Sequence, residues 1–259
     1  MMFRFLLLTY IFITASVFGQ GITFIDASQK QGLIFKHDHG GSGMKYYVET
    51  MGSGVCLLDY DNDGDLDIYF AQGASLPGWE GSKELINRLF QNNGGEWSDV
   101  TKKAGVGDPS YSIGCACGDV DNDGDIDLYV TNFGNDTFYR NEGNGTYFEA
   151  TQSTGLNNIE WGSSAAFFDG DLDGWLDLYV VNYVEYTVDK NPWCGDQHSD
   201  RRAYCDPDVF KGISDKFFHN NGDGTFTDWT DKSGIGKNQG KGLGIVPVSY
   251  THLTLPTKA

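Results

Sequence analysis

Asp59-Tyr-Asp-Asn-Asp-Gly-Asp-Leu-Asp67 is the first of three acidic nonapeptides that align along the chain. All three carry aspartate at positions 1, 3, 5 and 9 and glycine at position 6. We call them loop 1, loop 2 and loop 3. The second and third copies read Asp119-Val-Asp-Asn-Asp-Gly-Asp-Ile-Asp127 and Asp169-Gly-Asp-Leu-Asp-Gly-Trp-Leu-Asp177. Self-similarity of this kind predicts a repeat architecture.

The residues around each loop repeat as well. A small and apolar stretch precedes each loop, and a strand-like run follows it. Farther along come a second run, an Asn/Gly turn and a third run, and glycine and asparagine suit such tight turns. Four short strands recurring every 50–60 residues are typical of a propeller blade, so we predict an all-β propeller with the loops inside its blades. The runs that follow the loops are Ile68-Tyr-Phe70, Leu128-Tyr-Val130 and Leu178-Tyr-Val-Val181.

The spacing of the acids predicts three calcium sites. Carboxylates at positions 1, 3, 5 and 9 gather oxygen atoms around one point, and position 7 adds a backbone carbonyl. Because oxygen-only ligation at high negative charge suits Ca²⁺ better than Zn²⁺ or Mg²⁺, we expect one Ca²⁺ in each loop. The predicted ligands are Asp59, Asp61, Asp63, Asp65 and Asp67; Asp119, Asp121, Asp123, Asp125 and Asp127; and Asp169, Asp171, Asp173, Trp175 and Asp177.

The loops allow two other interpretations. An EF-hand begins in the same way, but it needs a bidentate glutamate at position 12 and flanking helices. Position 12 here is Phe70, Val130 or Val180, and the flanks alternate like strands. Solvated acidic turns without an ion are the other alternative, and the threefold spacing argues against them.

Composition limits the classes of function. The chain has 259 residues and a formal net charge of −18, and the three loops hold 14 of its 36 acidic residues. Such a charge repels phosphate, so nucleic acid is not expected as a partner. Hydrophobic residues make up 39% of the chain, which is enough for a packed core.

The two ends of the sequence carry separate predictions. Residues 1–19 have the charge and apolar run of a secretory signal, too short to span a bilayer, so we expect no transmembrane segment in the mature chain. We expect a secreted, periplasmic or cell-surface protein. Residues 247–259 resemble a translated sequencing adapter, which would make this a truncated gene whose propeller region is 20–246. Residues 22–28 are predicted to be a closing strand, and a fourth repeat to begin at Gly242.

These motifs resemble FG-GAP or VCBS repeat propellers of the integrin α-subunit type. More closely, the chain resembles the cartilage acidic protein-like family, which is often followed by an ASPIC/UnbV domain. The match spans roughly residues 22–246 and includes Tyr47-Val-Glu-Thr-Met-Gly-Ser-Gly-Val55, Tyr204-Cys-Asp-Pro-Asp-Val-Phe210 and Asn220-Asn-Gly-Asp-Gly-Thr-Phe226. The resemblance implies seven blades in a complete ring, with about four here. It also implies an extracellular, calcium-stabilised, non-catalytic module that binds a protein or a glycan.

The cysteines divide into two groups. Cys194 and Cys205 lie in a polar insertion over residues 185–214, and in an exported protein we expect them to form a disulfide. Cys56, Cys115 and Cys117 precede the loops in predicted strands, where we expect small buried hydrophobic side chains and no redox or metal site, while the sequence leaves open whether they are paired. Cys115 and Cys117 share one strand face and pair poorly with each other.

The remaining candidates do not assemble a catalytic site. His37 and His39 could be a metal or acid–base pair, but we expect a surface loop, and His198 and His219 stand alone in the sequence. The tyrosine after each loop repeats and is expected to pack between blades. We therefore expect a secreted calcium-binding adhesion or interaction module and no enzyme. The alternatives are a propeller enzyme with structural Ca²⁺ or a structural support for a C-terminal domain.

Overall fold

The structure, a computed structural model, describes residues 23–247 of the chain. The predicted signal peptide (1–19) and all but the first residue of the predicted adapter tail (247–259) lie outside these residues. The first two repeats form four-stranded antiparallel sheets, which we call blade 1 and blade 2. Blade 1 consists of β1 (Val55–Leu58), β2 (Asp67–Phe70), β3 (Arg88–Asn92) and β4 (Trp97–Asp99), and blade 2 of β5 (Ser112–Gly118), β6 (Asp127–Asn132), β7 (Thr137–Asn141) and β8 (Tyr147–Glu149).

The third repeat forms blade 3, which is interrupted by the insertion. Its four strands lie in the order β9, β10, β14, β15. The insertion contributes the hairpin of β11 with β12, and its last strand, β13, pairs with β16, which follows blade 3 in the chain. The strands are β9 (Gly162–Phe168), β10 (Asp177–Asn182), β11 (Cys194–Asp196), β12 (Arg201–Ala203), β13 (Ile213–Ser214), β14 (Lys216–Asn220), β15 (Phe226–Asp228) and β16 (Gln239–Gly240). Short helices are α1 (Thr101–Ala104), α2 (Thr151–Thr154) and α3 (Thr230–Ser233), with 3₁₀ turns at Tyr47–Thr50, Val188–Lys190, Pro207–Val209 and Ile235–Lys237.

The blades share one register. We call the first strand of each blade (β1, β5 and β9) its inner strand. In blade 1, Tyr69 lies opposite Cys56 on the inner strand and Leu89 on the third strand. Tyr129 and Tyr179 have the equivalent places in blades 2 and 3. Tyr69 and Tyr129 are fully buried in clusters that join neighbouring blades, which confirms the predicted packing role, whereas Tyr179 is only half-buried.

The apolar core lies between the blades. Successive side chains of a strand point to opposite faces of its sheet, so the two faces of a blade pack against different neighbouring blades. One cluster joins blades 1 and 2 through Leu58, Leu89, Leu128 and Val130, and a second joins blades 2 and 3. The second cluster includes Ala116, Tyr129, Phe138, Leu178, Val180 and Phe218. The fold is therefore a propeller-type array of three complete blades.

The inner strands run side by side. A Cβ on Gly54 would lie 2.7 Å from the Gly114 Cα atom, and one on Gly114 would lie 3.0 Å from the Ser163 carbonyl oxygen. Glycine at these two places thus allows neighbouring blades to approach closely.

This proximity pairs two cysteines whose state the sequence leaves open. Cys56 and Cys115 form a disulfide between blades 1 and 2, with Cα atoms 6.0 Å apart. Two cysteines of one strand pair poorly, whereas the fold brings cysteines of adjacent inner strands together. Cys117 is free and half-buried.

The predicted closing strand and the predicted fourth repeat have no partner strands among the described residues, so neither prediction is tested. Residues 23–28 form no strand, and Phe24 and Ile25 are exposed, because no strand of the described residues lies beside them. The fourth repeat forms no strand either in residues 241–247. Its predicted first residue is nevertheless in place: the Gly242 N–H donates to the Asn182 carbonyl at 3.2 Å, as Ser112 of blade 2 does to Gln72 at 3.0 Å.

Candidate metal sites

The same backbone hydrogen bonds fold each loop. In loop 1 the Asp59 carboxylate accepts the N–H groups of Asp63 and Gly64 at 3.1 and 2.9 Å. Both bonds recur in loops 2 and 3 at 3.1 Å. The position-6 glycines have φ of 90°, 94° and 93°, a left-handed conformation that side chains disfavour. The nonapeptide therefore forms one repeated turn organised by its own first acid.

The position-9 acids anchor the loops to the blades. Asp67 is fully buried and accepts the backbone N–H groups of Tyr60 and Asn92 at 2.9 and 2.7 Å. Asp127 and Asp177 make the equivalent pairs of bonds. Because Asn92 ends the third strand of its blade, each position-9 acid joins its loop to that strand.

The position-3 acids of loops 1 and 2 keep one carboxylate oxygen free. Gln91 donates from Nε2 to Asp61 Oδ2 at 2.7 Å, and Arg140 Nε lies 3.4 Å from Asp121 Oδ2. The other oxygen, Oδ1, of Asp61 and of Asp121 is buried and has no hydrogen-bond partner. A buried carboxylate oxygen without a partner is costly, and a cation would satisfy it.

Acid groups converge in every loop. Oxygen atoms within 4.8 Å of one another come from three acids in each loop, a spacing that could hold a metal ion. Two predicted side-chain ligands, Asp63 of loop 1 and Asp127 of loop 2, lie outside these groups, as do the position-7 acids Asp65 and Asp125. The groups are Asp59, Asp61 and Asp67; Asp119, Asp121 and Asp123; and Asp169, Asp171 and Asp173.

Loop 3 has a candidate ligand that the sequence argument did not include. His219 is not a lone residue: its Nδ1 lies 3.1 Å from Asp177 Oδ1 and 3.6 Å from Asp171 Oδ2, and these three side chains form a further possible metal group. His219 occupies the same blade position as Gln91 and Arg140, directly before the turn asparagine. An alignment of the three turns by that asparagine would have found it.

Burial shifts the titration of the loop acids. Desolvation raises the pKa of Asp67 to about 6 and that of Asp127 to about 7, although their backbone N–H donors oppose the shift. Burial also raises the pKa of Asp61, and the charges of Asp63 and Asp59 raise it further. A bound cation favours the ionised form of such acids, because its positive charge compensates the hydration that the carboxylate loses on burial.

The opposite ends of the inner strands carry aromatic side chains. Trp161, just before β9, packs against Phe133, Tyr183 and Tyr186 with ring centroids 5.0–5.7 Å away, and against Tyr47 at 5.9 Å. We call this the aromatic end and the loop side the acidic end.

The insertion packs onto the aromatic end. Tyr204 donates its hydroxyl to Glu49 at 2.7 Å, and Phe210 packs on Tyr47. Cys194 and Cys205 form the predicted disulfide, with Cα atoms 5.2 Å apart. The two histidines of the N-terminal segment differ. His39 is exposed, as the predicted surface loop requires. His37 is half-buried, its Nε2 has no hydrogen-bond partner and desolvation lowers its pKa, so the prediction of a surface position is wrong for this residue.

Comparison with known families agrees with the repeat. The FG-GAP-like repeat matches residues 59–130 and 119–180. Residues 59–180, just under half of the chain, thus contain two FG-GAP-like repeats. Each matched segment begins at the first acid of a loop and runs into the second strand of the next blade, so the repeat includes the loop and the strands that hold it.

No curated protein matches the chain. Among solved structures, an Agrocybe aegerita lectin, described as recognising non-reducing terminal N-acetylglucosamine, is similar at 16% identity with a TM-score of 0.32. The similarity covers 68% of this chain and 36% of the lectin chain, and so distant a likeness carries no information on a ligand. Within residues 23–247, no helix has the length and apolarity to cross a membrane.

Proposed function

We propose that the protein is a secreted, calcium-binding FG-GAP propeller that acts as a non-catalytic interaction module for an extracellular protein or glycan. The observation that carries the calcium proposal is the repeated loop with a buried, unpartnered acid oxygen in loops 1 and 2. The donor set of each loop is rich in carboxylates, which fits Ca²⁺. The ion would be held by the acids at positions 1, 3, 5 and 9 and would neutralise their mutual repulsion.

Secretion and the narrower family are parts of the same proposal. Two disulfides support an oxidising compartment, because such bonds persist outside the cytosol. The segments Tyr47–Val55 and Tyr204–Phe210, which carry the resemblance to cartilage acidic protein-like propellers, meet at the aromatic end through the bond between Tyr204 and Glu49.

A cleft of about 520 Å³ in blade 1 is our candidate partner surface. Phe35 and Trp79 line it together with Lys36, Lys83 and Arg88. Aromatic faces beside polar and charged groups suit a glycan or a peptide. Trp79→Ala should abolish binding in a glycan or peptide array while the protein still unfolds cooperatively; because Trp79 is half-buried, we expect a moderate loss of stability from the truncation.

The test of the calcium proposal is thermal unfolding in chelator and in millimolar Ca²⁺. Binding to the folded state alone stabilises it by mass action, so Ca²⁺ should raise the melting temperature by on the order of 10 °C. Asp61→Asn, Asp121→Asn and Asp171→Asn combined should remove most of that rise. Asp189 is an exposed acid of the insertion, and Asp189→Asn is the control for the loss of an acidic charge. This control should keep the rise in melting temperature that Ca²⁺ causes. An identical melting temperature in chelator and in Ca²⁺ would refute the calcium proposal.

A further inference from the structure

Loops 1 and 2 form a matched pair. They have the same acids at positions 1, 3, 5, 7 and 9 and the same Asn and Gly at positions 4 and 6. Their backbone hydrogen bonds are equivalent as well. They differ in the third-strand residue that faces the position-3 acid, which is Gln91 in blade 1 and Arg140 in blade 2. Any difference in cation affinity between the two loops should therefore trace largely to this position.

Gln91 and Arg140 place different charges beside an otherwise equal site. The Gln91 amide is neutral and holds Asp61 by one hydrogen bond of 2.7 Å. The Arg140 guanidinium is permanently positive and lies 3.4 Å from Asp121, with only 23% and 20% of the two side chains exposed. So little exposure leaves this ion pair weakly screened by solvent.

Arg140 is also fixed in place. Its Nη2 donates to the Gly224 carbonyl of blade 3 at 3.3 Å, so the side chain is held between loop 2 and the turn of the neighbouring blade. It does not occupy the whole site, because Asp121 Oδ1 remains without a partner. Loop 2 thus keeps a free acid oxygen beside a resident positive charge.

The geometry points to Arg140 as a residue that tunes affinity: it makes loop 2 a weaker cation site than loop 1. This inference rests on the proposed calcium function. A unit positive charge at the edge of a divalent-ion site weakens binding by on the order of tenfold even at a high dielectric constant. As Ca²⁺ rises, loop 1 therefore fills before loop 2.

Other charges near the two loops do not cancel this difference. Lys103 is the cation beside loop 1, where its Nζ donates to the Tyr60 hydroxyl at 3.2 Å, but its side chain is exposed and its charge is screened by solvent. Loop 3 differs in three respects at once, Leu172, Trp175 and His219, so it has no place in the ranking.

The test isolates each loop within the full chain. Asp121→Asn with Asp171→Asn leaves loop 1, and Asp61→Asn with Asp171→Asn leaves loop 2. Calorimetric titration with Ca²⁺ at low ionic strength should give a Kd about tenfold weaker for loop 2 than for loop 1. Adding Arg140→Gln to the loop 2 protein should tighten its Kd about tenfold, and adding Gln91→Arg to the loop 1 protein should weaken its Kd by a similar factor.

Arg140→Lys separates charge from packing. It keeps the positive charge and loses the guanidinium geometry, so the Kd of loop 2 for Ca²⁺ should stay as weak as with Arg140. A Kd tightened by Arg140→Lys as much as by Arg140→Gln would show that the charge does not set the affinity. Should Arg140→Gln fail to fold, as judged by near-ultraviolet circular dichroism, the Gln91→Arg result decides on the other loop. Equal Kd values for the two loops, or a Kd unchanged by Gln91→Arg and Arg140→Gln, would overturn the inference while leaving calcium binding intact. Absence of any Ca²⁺ binding by the parent chain would instead refute the proposed function, and the inference with it.

Discussion

At the acidic end of the inner strands, loops 1, 2 and 3 repeat one set of backbone hydrogen bonds. At the aromatic end the rings around Trp161 repeat only in part: Phe133 and Tyr183 follow the equivalent strands β6 and β10, whereas Tyr47 and Tyr186 belong to the 3₁₀ turn and the insertion. Charge organises the first end, and apolar burial organises the second. The insertion over residues 185–214 and the turn Tyr47–Thr50 belong to the second end only. The repeat alone thus builds the acidic end, while the aromatic end combines repeated strand ends with segments that occur once, so the two ends should respond to different perturbations.

The largest expected effect is at the aromatic end. Trp161→Ala removes a side chain that is only 3% exposed and leaves a cavity among four aromatic rings. It should lower the free energy of unfolding by about 3–5 kcal/mol. Denaturant unfolding should show the same loss in Ca²⁺ and in chelator, because the change lies far from the loops. A loss seen only in Ca²⁺ would show that the two ends are coupled.

The second effect concerns the disulfide of the insertion. Cys194→Ser with Cys205→Ser opens a short closed loop with a sequence separation of 11 residues, and should cost about 3 kcal/mol by the chain-entropy estimate. The melting temperature measures this loss. Cys117→Ser is the matched control, since this free thiol donates to the Leu57 carbonyl and a hydroxyl can do the same. Equal losses of melting temperature in the two proteins would argue that the disulfide between Cys194 and Cys205 does not stabilise the fold.

The third effect depends on pH. Asp136 is buried in blade 2, where it accepts bonds from Tyr129, Asn158 and the Asn132 N–H, and burial raises its pKa to about 8. The folded protein thus binds a proton that the unfolded chain releases near pH 4, so this group lowers stability as pH rises from about 4 to about 8.

Asp136→Asn should remove that dependence. Asn87 holds the equivalent place in blade 1, where its Oδ1 accepts the Gln72 N–H at 2.7 Å, so the amide fits this position. The melting temperature of the variant minus that of the parent should increase by on the order of 5 °C from pH 5 to pH 8, with both proteins in saturating Ca²⁺. A constant difference across this range would contradict the raised pKa.

The smallest effect lies within the acidic end. Position 4 has positive φ in all three loops, 59° at Asn62, 56° at Asn122 and 64° at Leu172. Asparagine tolerates this conformation and leucine does not, and Leu172 is 87% exposed, so it gains little from burial. Leu172→Asn should stabilise the protein by about 0.5–1 kcal/mol, and the reverse change Asn122→Leu should destabilise it similarly. If denaturant unfolding showed that Leu172→Asn destabilises the protein or that Asn122→Leu stabilises it, position 4 would not be equivalent in the loops.

The sequence predicted the repeated parts of the molecule and missed most contacts between repeats. Regular spacing was enough to locate the loops, the strands around them and the tyrosines, because each repeat folds by local rules. The disulfide of Cys56 with Cys115 depends on which blades become neighbours, and a single repeat does not carry that information. The approach of His219 to Asp171 lies within blade 3, where the insertion separates the two residues in sequence, so only an alignment of the three turns reveals it. The insertion's disulfide could be predicted because both cysteines lie within one short segment.

The disulfide between the first two blades also decides how the array would carry mechanical load. Tension applied at residues 23 and 247 passes from Cys56 directly to Cys115, so loop 1 and the last three strands of blade 1 lie off the loaded path. Loop 3 has no such bypass, because the disulfide of the insertion begins beyond it at Cys194. Under force, blade 3 would unravel with loop 3 while loop 1 stays outside the stretched part of the chain.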